Sequence, residues 1–112
     1  MIEVAKKAAE LVGSIQKDRK EEYLRTVKGL GSLVIQNGLF GAMLFTIKKG
    51  PKEVIDHLDQ LIEIKTGVSK LSEKVKNGDI YQQRYLQLQI EALDCIKWLK
   101  RYAEILLGGD SA

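Results

Sequence analysis

Residues 39–47 read Leu-Phe-Gly-Ala-Met-Leu-Phe-Thr-Ile, with no charge and with Thr46 as the one polar side chain. A helix on the surface of a globule carries one apolar stripe, whereas this run is apolar on every side. Such a helix is buried all round or spans a membrane. A span takes about 20 apolar residues, and this run is less than half as long. The expectation is a short central helix within residues 37–50, wrapped by the others. Gly41 and Ala42, having little or no side chain, should let a neighbouring backbone come close. Asn37-Gly38 reads as a stop and restart before it, and Gly50-Pro51 as a firm stop after it.

The rest of the chain falls into helical patterns around that segment. Ala5, Ala8, Val12 and Ile15 make one face of a first helix over residues 2–17, with Ile2 and Ala9 beside them. The charged junction Lys17-Asp18-Arg19-Lys20-Glu21-Glu22 reads as a solvated turn or helix end. A second helix then runs to about residue 36, with Tyr23, Val27, Leu30 and Val34 as its stripe, supported by Leu24 and Ile35. Gly29 and Gly31, each costing roughly 1 kcal/mol in a helix interior, predict a bend or a close packing contact. Arg25, Lys28, Ser32 and Gln36 share the opposite face.

Beyond the central helix, Pro51 suits the first position of a helix ending at Thr66-Gly67. Its stripe is Val54, Leu58, Leu61 and Lys65, flanked by Ile55 and Ile62. A short polar helix follows over residues 69–75, closed by Asn77-Gly78, with Asp79 as the next N-cap. The last and longest helix covers residues 79–107. Its seam of Tyr81, Tyr85, Leu88, Ala92, Cys95, Leu99, Tyr102 and Leu106 alternates spacings of four and three. Leu93, Ile96, Ala103 and Leu107 widen that seam, and Gly108-Gly109 ends the helix. No strand or internal repeat is visible. The prediction is an all-α fold: one domain over residues 1–112, a compact bundle of about five to six helices with a buried central helix and a long C-terminal one.

Charge narrows the function classes without selecting one. The net charge is +3 and the pI about 9.0, which permits phosphate partners but does not demand them. The basic excess lies in residues 1–56, with ten Lys/Arg against seven Asp/Glu. Cys95, the single cysteine, excludes a disulfide framework and a cysteine metal site, and fits a reducing, cytoplasmic setting. No secretion or lipid-anchor signal is present, so no membrane attachment is expected. His57 reads as an ordinary surface or boundary histidine, because nearby Glu53, Asp56 and Asp59 do not converge on one helix face with it. Cys95 falls inside the apolar seam, where a reactive thiolate is not favoured. No catalytic constellation, metal site, cofactor or small-molecule substrate is indicated. An interaction protein is the reading. Its basic groups are Arg25 and Lys28 on one face, Lys48, Lys49 and Lys52 at a helix junction, and Lys97, Lys100 and Arg101 along the last helix. Each suits solvated surface as well as a binding site.

Two motifs carry a family resemblance. Val27-Lys-Gly-Leu-Gly-Ser-Leu-Val-Ile-Gln-Asn-Gly-Leu-Phe-Gly-Ala-Met-Leu-Phe45 resembles the small-subunit family of type III-B CRISPR effector (Cmr) complexes. There a lysine-containing helix leads into Asn-Gly-Leu and an apolar helix, although Gly31 stands where the family has proline. Glu91-Ala-Leu-Asp-Cys-Ile-Lys-Trp-Leu-Lys-Arg-Tyr-Ala103 resembles the family's second signature, in the expected order. The resemblance implies an all-α, non-catalytic subunit. Its partners would be other effector subunits, further copies of itself stacked head to tail, and the backbone of guide or target RNA. It implies that Arg25, Lys28, Lys48, Lys49 and Lys52 contact phosphates, with Lys97 and Arg101 as a second set and Trp98 and Tyr102 as structural residues. The competing reading is a helical adaptor that binds protein alone. An enzyme dependent on Cys95 or His57 is the least supported third.

Overall fold

Val4, Ala8 and Val12 recur at helical spacing and are completely buried along α1 (Ile2–Gly13). The computed structural model describes residues 2–79 and 84–108. Val4 rather than Ala5 begins the buried face. The helix also stops four residues short of the expected end. At Gly13, a weak helix former, the Ser14 hydroxyl donates to the Leu11 carbonyl at 2.7 Å and competes with the next helical bond. Ile15 still reaches the core. Lys17–Arg19 then form a single 3-10 turn, followed directly by α2 (Lys20–Lys49).

One residue divides α2. Gly38, with φ 78° and ψ 161°, has no helical geometry, and that backbone region is essentially reserved for glycine. The two limbs fold back on each other. In a straight helix, Thr26 and Gly50 would stand about 36 Å apart at 1.5 Å per residue. Instead, the Thr26 methyl lies 3.4 Å from where a β-carbon on Gly50 would sit. The predicted stop and restart is therefore a helical hairpin. By length and composition α2 is long and apolar enough to cross a membrane, yet the reversal at Gly38 leaves neither limb with a continuous span. Gly29 and Gly31 cause no bend. A β-carbon at Gly29 would meet nothing within 4 Å, and one at Gly31 would lie an ordinary 3.9 Å from Ile96.

The second limb of the hairpin is buried on one side, not wrapped all round. Leu39, Ala42, Met43 and Thr46 are enclosed, while Leu44 is 46% and Phe45 55% exposed. Gly41 is exposed as well, so it serves no close backbone approach. The expectation overlooked that a hairpin limb packed between its partner limb and the rest of the bundle still keeps an outer face. Thr46 satisfies its buried hydroxyl on the Ala42 carbonyl at 2.8 Å.

Pro51 caps α3 (Lys52–Thr66) from just outside it, one position earlier than predicted, and left-handed Gly67 ends it. The buried face holds Val54, Ile55, Leu58, Leu61 and Ile62 as expected, and also His57. The short α4 (Leu71–Lys76) begins two residues later than its sequence suggests. Its first turn is capped from another helix: Asp59 of α3 accepts the Ser72 amide at 3.0 Å and the Ser72 hydroxyl.

The last helix, α5 (Tyr85–Leu106), packs against α1, α2 and α3. The expected N-terminal stretch, with Tyr81 and the turn that Asp79 would cap, runs into residues 80–83 outside the described ones, as does Gly109. Leu88, Ala92, Cys95 and Leu99 form the buried seam, with Ile96 and Ala103 widening it and Tyr85 and Tyr102 half-buried. Leu106 departs from the prediction, being 45% exposed at the end of the bundle. No strand occurs among the described residues. The radius of gyration is 13.2 Å, close to the roughly 13 Å of a folded 100-residue domain.

Candidate nucleic-acid interface

The hairpin decides which basic side chains can act together. Its open end carries a groove of about 290 Å³ lined by Thr26, Gly29, Leu30, Leu33, Phe45, Thr46, Lys49 and Gly50. Arg25 and Lys28 adjoin Thr26 and Gly29 on the first limb, and Lys48 adjoins Lys49 on the second. All four side chains are exposed, and none makes an ion pair among the described residues. Sequence spacing held Arg25 and Lys28 apart from Lys48 and Lys49 by about twenty positions. The reversal at Gly38 returns their backbone positions to the open end of the hairpin, where Lys49 lines the groove.

Lys52 stands apart. It borders a cleft made with Ser14, Ile15, Gln16, Arg19, Glu53 and His57. There Arg19 clamps Glu53 with two hydrogen bonds, of 2.8 and 2.7 Å. Those two charges cancel, so Lys52 supplies the cleft's uncompensated charge. The sequence offered no signal for this pairing, whose partners are 34 positions apart.

The second set lies on α5. Lys97 pairs with Asp94 at 2.9 Å, and Asp94 also holds Lys65 at 2.6 Å. Lys97 is therefore partly neutralised. Arg101 makes no ion pair among the described residues, and its guanidinium carbon lies 5.3 Å from the Trp98 ring centre. The Lys97 ammonium lies 5.8 Å from the same ring. Trp98 is half-buried and stacks on Tyr102, with ring centres 6.3 Å apart.

The groups that chemistry would call on are occupied elsewhere. His57 is a buried residue, 5% exposed, which corrects its reading as surface or boundary. Its Nδ1 shares a 2.8 Å hydrogen bond with the Tyr23 hydroxyl. The helical stripe missed it because an imidazole with a dedicated partner can be buried as an apolar residue would be. Burial pushes the Cys95 thiol up to about 12, so it stays protonated near neutrality. No cluster of potential metal ligands occurs among the described residues.

The same region sets an acid limit. The Arg19 hydrogen bond holds the Glu53 carboxyl down at about 2, and burial holds His57 below its ordinary 6.5. Both folded values are depressed. Each contribution is thus present above the unfolded pKa and lost as pH falls through the folded one. Urea midpoints should begin to fall below pH 6.5 and fall further from 4.5 toward 2. Asp94, lowered by Lys65 and Lys97, adds to that lower range. Glu53→Gln should flatten the lower part and deepen the upper slightly, because the Glu53 charge favours a protonated His57. An unchanged profile would remove Glu53 from the account.

Comparison with known proteins places the chain in a family. A family model described as "CRISPR-associated protein (Cas_Cmr5)" matches residues 2–106. The CRISPR system Cmr subunit Cmr5 of Thermotoga maritima (strain ATCC 43589 / DSM 3109 / JCM 10099 / NBRC 100826 / MSB8) is 48% identical over 110 residues, covering 97% of this chain and 85% of that protein. No solved structure matches significantly. With nearly its whole length matched, this all-helical chain belongs to the Cas_Cmr5 family of CRISPR-associated proteins.

Proposed function

We propose that this chain is the non-catalytic small subunit of a type III-B CRISPR (Cmr) ribonucleoprotein, working in the cytoplasm and holding target RNA by its phosphates. Membership of the Cas_Cmr5 family and the Cmr subunit relative support the first half of that reading. The convergence of Arg25, Lys28, Lys48 and Lys49 at the open end of the hairpin, without ion pairs among the described residues, supports the second. Lys52, on the neighbouring cleft, is a separate contact on this reading, and Lys97 and Arg101 form a further, weaker set. Phosphate contacts need charge and position, and carry no sequence information. In an RNA-guided complex, pairing with the guide reads sequence, while protein supplies charge and shape. His57 and Cys95, the residues an enzyme would need, are buried and engaged in packing.

Partners on this reading are the other effector subunits and further copies of the chain. One copy makes few phosphate contacts. Copies arrayed along one strand gain avidity without new contacts.

The test is reversal of Arg25 and Lys28 to Glu in the reconstituted complex, with RNA affinity measured across a salt series. Affinity should fall. The log–log salt slope should flatten by about 1.4, at about 0.7 per lost single-strand phosphate contact. An unchanged slope and affinity would refute the assignment. No RNA binding in any assembly state would favour the protein-only adaptor.

A further inference from the structure

Trp98, expected to be structural, packs against the core, and it is half-buried with cations arranged about its ring. Its ring and that of Tyr102, one helical turn on, are inclined by only 26° with centres 6.3 Å apart. Such a pair offers aligned aromatic faces on a rigid helix. From this arrangement we infer that Trp98 and Tyr102, with Arg101 as their cover, form a stacking seat for an unpaired base of single-stranded nucleic acid. The inference rests on the RNA-binding reading above but uses a different surface and a different force.

The two cations do not hold the ring equally. Lys97 is tied to Asp94 at 2.9 Å, whereas Arg101 is exposed and makes no ion pair among the described residues. Arg101 is itself solvated, and a solvated cation over a ring contributes less than a base stacked on one. An incoming base therefore displaces Arg101 from Trp98. The freed guanidinium then meets the adjacent phosphate, a charge-assisted contact it lacks in the free protein. Base and phosphate together outweigh the contact given up. An acidic peptide would draw the two cations but would gain nothing from the ring itself. Every nucleobase has a π-face, so the seat should tolerate any sequence.

Trp98 is the chain's single tryptophan, so its emission reports on this seat alone. The full-length protein is titrated with an oligouridylate, an abasic deoxyribose-phosphate oligomer of the same length, and polyglutamate. Oligouridylate should quench Trp98 emission saturably, while the abasic oligomer binds without quenching and polyglutamate does neither. By anisotropy, Trp98→Leu should weaken oligouridylate binding about 5- to 140-fold, the equivalent of about 1–3 kcal/mol for one stacked base. The affinity for the abasic oligomer should not change, which separates loss of stacking from loss of fold. Equal quenching by the abasic oligomer or polyglutamate, or no quenching at saturating oligouridylate, overturns the inference. The two proposals can fail separately. If Arg25→Glu with Lys28→Glu leaves the abasic oligomer's salt dependence intact while oligouridylate still quenches, the backbone assignment falls and the stacking seat stands.

Discussion

Gly38→Ala is expected to lower stability by about 2–6 kcal/mol, a large share of the roughly 5–15 kcal/mol that holds a domain together. Two effects combine at this position. The backbone, at φ 78° and ψ 161°, occupies a region that a side chain makes costly by about 1–3 kcal/mol. The new β-carbon would also overlap the Tyr85 hydroxyl. That hydroxyl and the Gln89 Oε1 accept the Leu39 amide at 3.1 and 3.0 Å. Driving Tyr85 away strips partners from the first amide of the second limb, a loss of about 1–3 kcal/mol where it is left unpaired. Gly41→Ala is the control, because Gly41 is exposed and its β-carbon would meet nothing nearer than 3.5 Å. It should be neutral or stabilising by up to about 1 kcal/mol. Urea unfolding of the two variants decides the matter. Equal midpoints would show that the reversal at Gly38 tolerates a side chain.

Tyr23→Phe is the second substitution with a large expected cost, about 1–3 kcal/mol. Tyr23 is fully buried and His57 nearly so, and each is the other's side-chain hydrogen-bond partner, at 2.8 Å. Burial raises the Tyr23 pKa and lowers that of His57, so both stay neutral around pH 7. Removing the hydroxyl leaves Nδ1 enclosed without a partner. His57→Leu should cost a comparable amount by stranding the Tyr23 hydroxyl. The double variant should recover much of the loss, since replacing both partners by apolar groups removes both unmet demands. A cycle in which the two single costs simply add would show that the hydrogen bond contributes nothing specific.

What could be read from residues alone was local. The stripes of α1, α2 and α3 and the α5 seam from Leu88 to Leu99 followed from periodicity, and Asn37-Gly38 announced an interruption. The size of that interruption was hidden. A stop signal does not say whether the chain bends slightly or reverses, and here the answer lies in Tyr85 and Gln89, far along the chain. The same blindness placed His57 at the surface or boundary, missed the Arg19–Glu53 clamp and began α4 too early, because the cap on Ser72 comes from Asp59 of another helix. Exposure of Leu44 and Phe45 was equally invisible, since composition records how apolar a segment is and not which side faces its neighbours. The basic residues were identifiable individually. Their grouping required the hairpin.

The hydrogen bonds that secure the hairpin turn join residues 46 and 50 positions apart. A chain emerging from the ribosome has made both limbs of α2 long before Tyr85 and Gln89 exist. Until α5 arrives, the Leu39 amide lacks these partners, and α2 lacks a helix it packs against. Non-local contacts of this kind are formed late and slowly. The final quarter of the protein is thus the step that commits the first half, and a chain truncated before α5 should behave as a sticky, fluctuating collapse rather than as a smaller folded domain.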